Sequence, residues 1–175
     1  MSNKAGHSAR ADHLGSRPLR LLLVNPTIAD KREHVHIGLG TVGTYVKLHS
    51  HHHVRILDFM IFSRKWKERL REVLDEYEPD LVGMYISSPY FPAARKVAQE
   101  IKQLRPTLPV LAGGHHPTLS PDDTMGEPAF DMLIIGEGEK PMVTLLNTMA
   151  ENRPLDEVPG LWWREGATIR KTPIA

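Results

Sequence analysis

No cysteine occurs among the 175 residues of the chain. Disulfides, zinc–thiolate sites, iron–sulfur clusters and cysteine nucleophiles are therefore excluded within it. No apolar run approaches the roughly 20 residues that a membrane helix needs. No secretory signal is visible either, so a cytoplasmic location without a membrane partner is expected. An excess of one charge is also missing: 22 Lys and Arg against 21 Asp and Glu leave a formal net charge of +1. That balance offers no footprint for nucleic acid. What remains is ordinary for a globular protein, with 41% apolar and 25% charged residues. The length suits one α/β domain with a short appendage.

Residues 1–17 are polar, basic and aperiodic, which predicts a disordered tail. Leu19 to Val24 is a short apolar run stopped by Asn25-Pro26, as expected of a strand buried on both faces. Ile37 to Leu48 reads as a helix with Leu39, Val42 and Val46 on one face and Gly38, Gly40 and Gly43 beside them. Each glycine costs this helix roughly 1 kcal/mol relative to alanine, so either the sheet or a ligand should need the close approach. Val54 to Asp58 predicts a second strand, Lys65 to Tyr77 an amphipathic helix, and Asp80 to Ile86 a third strand ending in Ser87-Ser88-Pro89. Pro92 opens a helix, Leu108 to Ala112 forms a fourth strand, and Asp131 to Ile135 a fifth. A further helix is opened by Pro141. Gly160 to Arg170, turning at Glu165-Gly166, reads as a hairpin whose adjacent tryptophans need a surface to cover, on this domain or on a partner domain.

Short apolar strands alternating with helices predict an α/β fold. The expected architecture is a Rossmann-like (flavodoxin-like), doubly wound five-stranded parallel sheet of order 2-1-3-4-5, with a C-terminal β-hairpin. Ligands bind such a sheet beyond the carboxyl ends of its strands, at the switch point. The residues expected there are Asn25, Pro26 and Thr27, then Ser87 and Ser88, then Gly113, Gly114, His115 and His116. Paired glycines at a strand end either let a flat ligand lie against bare backbone or serve only to turn an αβ loop. Pro117 fixes the turn, and Thr118 is placed to cap the helix that follows. One of the two histidines is expected to touch ligand, the alternative being a histidine that only hydrogen-bonds the turn backbone.

Leu-Leu-Val-Asn25-Pro26, Gly38-Leu39-Gly40, Val-Arg-Ile-Leu-Asp58 and Pro79-Asp80-Leu-Val-Gly83 follow one another along the chain. Gly113-Gly114-His-His-Pro-Thr118, Gly136-Glu137-Gly138-Glu139 and Val158-Pro-Gly-Leu161 continue the series. From about Leu19 to Ala175 this ordered set resembles the amino-terminal cobalamin-binding domain of cobalamin-dependent radical SAM enzymes. The resemblance implies a corrinoid at the carboxyl rim with its nucleotide tail driven into the sheet's edge region. Gly113 and Gly114 would let the tail pass close to the backbone, and Ser87 or Ser88 would hydrogen-bond it. Gly136, Glu137, Gly138 and Glu139 would line its far side. The loop from Asn25 and the helix from Gly38, Leu39 and Gly40 would face the corrin's lower side. His115, His116, Pro117 and Thr118 complete the cofactor-binding candidates. Residues 18–154 would be the cobalamin-binding domain, and residues 155–175 a hairpin or linker towards an absent catalytic domain.

Two departures qualify that resemblance. Cobalamin domains of the methionine-synthase type carry Asp-x-His-x-x-Gly, but here neither His34 nor His36 has glycine three positions later. His36 remains the candidate cobalt ligand, since imidazole suits transition metals. The radical SAM cluster motif needs three cysteines, so S-adenosylmethionine and a 4Fe-4S cluster would belong to a partner domain only.

Other features have ordinary readings. His49-Ser-His-His-His53 suits a solvated turn, because no carboxylate or cysteine nearby completes a metal shell. Glu137 and Glu139 suit a helix amino terminus, where negative charge is favoured. Gly38-x-Gly40-x-x-Gly43 has dinucleotide-fingerprint spacing but does not follow a strand directly. The competing function is a non-catalytic α/β module that binds a nucleotide or has lost its cofactor. In that case Tyr90, Phe91 or neighbouring side chains should fill the slot beside the glycines. A hydrolase using His and Glu lacks a nucleophile arrangement.

Overall fold

Leu21, Leu22, Leu23 and Val24 are each at most 2% exposed. They form the centre of β1 (Arg20–Asn25), and alternation sends Leu22 and Val24 to one face of the sheet and Leu21 and Leu23 to the other. Each buried leucine contributes roughly 2 kcal/mol, so the run is stable only where both faces are covered. The computed structural model describes residues 17–28, 37–61 and 63–174.

Helix α1 (Ile37–His49) leads to β2 (His53–Asp58), and α2 (Trp66–Tyr77) to β3 (Leu81–Tyr85). Next come α3 (Phe91–Leu104), β4 (Val110–Gly113) and the short helices α4 (His115–Leu119) and α5 (Pro121–Gly126). Strand β5 (Met132–Ile134), α6 (Glu139–Ala150), β6 (Leu161–Glu165) and β7 (Thr168–Lys171) complete the order. The sheet runs β2-β1-β3-β4-β5-β6-β7, with the first five strands parallel. Helices α2 and α3 cover one face and α1 and α6 the other, each over its own core.

The expected order 2-1-3-4-5 is present, but the sheet does not stop at five strands. The hairpin extends it to seven, β6 pairing antiparallel with β5 and β7 with β6. Its tryptophans explain why: as neighbours on a strand they face opposite ways, and each reaches one core. Trp163 is buried on the α1/α6 side, and Trp162 packs against the α2/α3 side.

The histidine run serves the fold. His52 is buried, its Nδ1 accepting the Leu19 N–H at 3.1 Å and its Nε2 lying 3.0 Å from Asn147 Oδ1. Among the described residues no group of three or more His, Asp or Glu is arranged to hold a metal ion.

Asp80 fastens the amino ends of β1 and β3. Its carboxylate accepts the Arg20 N–H at 2.8 Å and pairs with Arg17. Burial opposes its charge, but the hydrogen bonds from Arg17 and Arg20 and their positive charges outweigh that and hold the carboxyl below its ordinary value. A carboxyl lowered on folding adds stability above its unfolded pKa of about 4, and the contribution is lost as pH falls through the folded value. Asp80→Asn is expected to cost about 1 kcal/mol at pH 7 in urea unfolding, the deficit closing as pH falls through the lowered folded value of the wild-type carboxyl.

Candidate functional site

The chain reverses from β4 into α4 at Gly114, which has φ +101°. A Cβ there would stand 2.9 Å from the Tyr85 ring and 3.0 Å from the Ile86 carbonyl oxygen. The fold itself therefore demands glycine at 114. Gly113 is different, because a Cβ on it would meet nothing closer than the Met84 carbonyl at 3.9 Å. It lies two residues beyond Leu111 and so faces the same side of the sheet, towards α1 and α6.

Backbone and side-chain bonds lock this corner. Gly113 O accepts the Ile86 N–H at 2.8 Å, and Ile86 O accepts the His116 N–H at 3.0 Å. Thr118 is not the cap of a later helix; it sits inside α4, which starts directly after Gly114. Its hydroxyl donates to Gly114 O at 2.9 Å and accepts the Gly136 N–H at 3.0 Å. The turn after β4 is thereby tied to the loop after β5.

The two histidines point apart. His115 is exposed, with Nδ1 2.6 Å from the Tyr85 hydroxyl and its ring edge-on to the phenol. Burial pushes the Tyr85 phenol above its ordinary pKa. His116 is buried, with Nδ1 3.2 Å from Ser88 Oγ, Nε2 3.3 Å from the Asp123 carboxylate and its ring stacked at 4.0 Å on Phe91.

A cavity of about 420 Å³ opens between α1 and α6 at the carboxyl ends of β1, β3, β4 and β5. Leu23, Gly83, Leu111, Ile134 and Met142 form an apolar, buried part, while His115, Leu119 and Glu137 are exposed at the mouth. Of the residues expected from sequence, Gly38, Leu39, Gly113, Gly114, His115 and Thr118 line it, as do Gly136, Glu137, Gly138 and Glu139. The remaining candidates lie off the cavity. Asn25 is buried, donating to Asp58 Oδ1 at 2.9 Å and accepting the Thr27 N–H at 3.2 Å, and so pins its own loop to β2. Pro26, Ser87, Ser88, His116 and Pro117 do not border the cavity, nor does Gly40, where a Cβ would meet nothing within 4 Å. His36, the candidate cobalt ligand, lies outside the described residues.

The glycines of α1 divide their work. A Cβ at Gly43 would touch Leu23 and Val54 at 3.4 Å, so the sheet needs that one, whereas Gly38 faces the Tyr85 ring. Sequence reasoning missed Tyr85, Val42, Gly83 and Met142. Gly83 carried a usable signal, since a glycine inside a buried strand marks a close approach. Here it admits Leu23 and Met142, whose atoms would stand 3.0 and 3.4 Å from a Cβ. Tyr90 and Phe91 do not line the slot, and Phe91 lies between His116 and Phe130 instead.

The B12 binding domain family model matches residues 28–146. The chain belongs to the B12 binding domain family. An uncharacterized methyltransferase of Pyrococcus horikoshii is 28% identical over 138 residues, which are 78% of this chain and 29% of that protein. The radical S-adenosylmethionine methyltransferase TsrM of Kitasatospora setae, solved with cobalamin and a 4Fe-4S cluster, superposes with a TM-score of 0.82 at 24% identity. That match covers 91% of this chain and 29% of TsrM. The cobalamin-dependent S-adenosylmethionine radical enzyme OxsB, solved with aqua-cobalamin and S-adenosylmethionine, gives 0.77 at 17% identity, over 90% of this chain and 22% of that one. At such identities the likeness is one of fold, and the chain spans under a third of each relative's length. Among the described residues no helix is long and apolar enough to cross a membrane.

The contrast between the adjacent glycines can be measured. Gly114→Ala is expected to destabilise by about 1–3 kcal/mol, through its positive φ and the Tyr85 contact. Gly113→Ala should change stability by less than about 0.5 kcal/mol. Urea unfolding of the two variants gives both numbers.

Proposed function

We propose that this domain holds cobalamin in its base-off form, with the nucleotide arm in the cavity and the corrin lying across the carboxyl rim. The observation that carries this reading is the cavity itself, open beside bare glycine backbone at the strand ends. Its 420 Å³ is the size of a pocket for a small planar ligand and far too small for a substituted corrin. Only the arm of a cobalamin fits inside. The polar groups at the mouth, His115, Glu137 and Glu139, suit the amide side chains that fringe a corrin. A module that had lost its cofactor would have its slot filled by neighbouring side chains; with Phe91 packed elsewhere, the slot stands open.

Bound cobalamin supplies cobalt chemistry, including the carriage of a methyl group. The protein's part is to hold and orient it. The likeness to TsrM and OxsB supports a role in presenting the cofactor to a radical S-adenosylmethionine domain, and the Pyrococcus relative favours methyl transfer as the reaction. With no cysteine in this sequence, the thiolates of a 4Fe-4S cluster would come from that partner domain. We assign the cofactor-holding role to residues 18–154 and the edge facing the partner to residues 155–175.

Purified protein mixed with hydroxocobalamin and freed of excess ligand should retain about one equivalent with a base-off visible spectrum. Gly113→Leu, which projects a side chain into the cavity without a positive φ, should abolish retention while leaving the circular dichroism unchanged. Retention by that variant, or none by the parent protein, would overturn the reading.

A further inference from the structure

We infer that the cavity selects among cobamides by the polarity of the base on the nucleotide arm, accepting a methylated benzimidazole and rejecting a purine. The inference rests on the proposed cobalamin reading and adds which arm the domain takes. The floor consists of Leu23, Gly83, Leu111, Ile134 and Met142, with the four side chains no more than 3% exposed. None of the five has a side-chain donor, and the only heteroatom is the weakly accepting sulfur of Met142.

The nearest hydroxyls, at the rim of that floor, are tied to their own neighbours, and the carboxylates of Glu137 and Glu139 stand at the mouth. The Thr118 hydroxyl spans Gly114 O and the Gly136 N–H, and the Tyr85 hydroxyl is bonded to His115. Gly113 O is taken by the Ile86 N–H. A dimethylbenzimidazole presents an apolar outer edge, which such a floor satisfies. Adenine is as flat and of similar size, so shape does not separate the two. Its edge instead carries an exocyclic amine and ring nitrogens, which this floor would strip of water without offering a partner. A buried polar group without a partner is penalised far more heavily than a made hydrogen bond is rewarded. Selection by this route is worth about 10- to 100-fold in affinity.

Met142 is the residue through which the selectivity can be altered. Its methyl end lies over Gly83, where a Cβ would be 3.4 Å away, so the tip of the side chain forms part of the floor. Met142→Gln keeps length and flexibility and adds an amide there.

The test is equilibrium titration of the 175-residue protein with three corrinoids, followed by the visible spectrum. They are cobalamin, the adenine-bearing cobamide and cobinamide, which has no nucleotide. The expected result is cobalamin binding about 10- to 100-fold more tightly than the adenine form, with cobinamide also weaker than cobalamin. In Met142→Gln the gap should narrow at least about threefold. Equal affinity for cobalamin and the adenine cobamide would overturn the selectivity while leaving the proposed function intact. Cobinamide binding as tightly as cobalamin would show that the arm does not use the cavity, overturning the inference and the placement of the arm in the proposed function. No binding of any of the three removes the proposed function, and the inference with it. An unchanged gap in a folded Met142→Gln protein overturns the assignment of the floor. Should that variant not fold, the three wild-type affinities decide.

Discussion

A parallel sheet covered by helices on both faces leaves its strands nothing but apolar neighbours, and the rest of this molecule follows from that. Leu21 to Val24 can be buried completely only because α2 and α3 take one face while α1 and α6 take the other. Polar side chains are thereby driven to the strand ends. At the amino ends they fasten the sheet, through Asp80 and the arginines around it. At the carboxyl ends the backbone must turn into a helix each time, and the turns after β3, β4 and β5 converge where chemistry can be built.

The cavity at that rim is made by what is missing from the residues around it. Gly83 leaves room for Leu23 and Met142 to form the floor, and Gly113 lacks the side chain that would fill the opening. Gly114 serves a different end, because it permits the reversal that brings α4 against Tyr85 and Ile86. Thr118 then holds the β4 turn to the β5 loop, so the two sides of the opening cannot drift apart independently. An apolar floor with a polar mouth suits a ligand that is flat at one end and fringed with amides at the other.

Much of this was legible in the chain. The alternation of apolar runs and helical stripes predicted the parallel strands and their order, since each run was too short for a helix and was followed by a helical stripe. The pair Gly113-Gly114 and the run Gly136 to Glu139 fell on two of the cavity's walls, although Gly114 is required by the turn itself. His115 and His116 could not be separated by sequence. Consecutive residues on a helix point about 100° apart, and only the packing shows that one meets Tyr85 and the other Phe91. Asn25 and Ser88 occupy the expected strand ends, yet their side chains are spent on Asp58 and His116.

Sequence alone determined the class of fold, the absence of thiolate chemistry in this chain and the end of the sheet at which a ligand would sit. Those depend on periodicity and composition, which are local properties of the chain. Tertiary structure decided that the tryptophan hairpin prolongs the sheet to seven strands, that α1 divides its glycines between sheet and cavity, and that Tyr85, Gly83 and Met142 shape the site. The reason is distance along the chain. Gly83 and Met142 are far apart in sequence, and whether the gap left by one is filled by the other depends on where α6 packs.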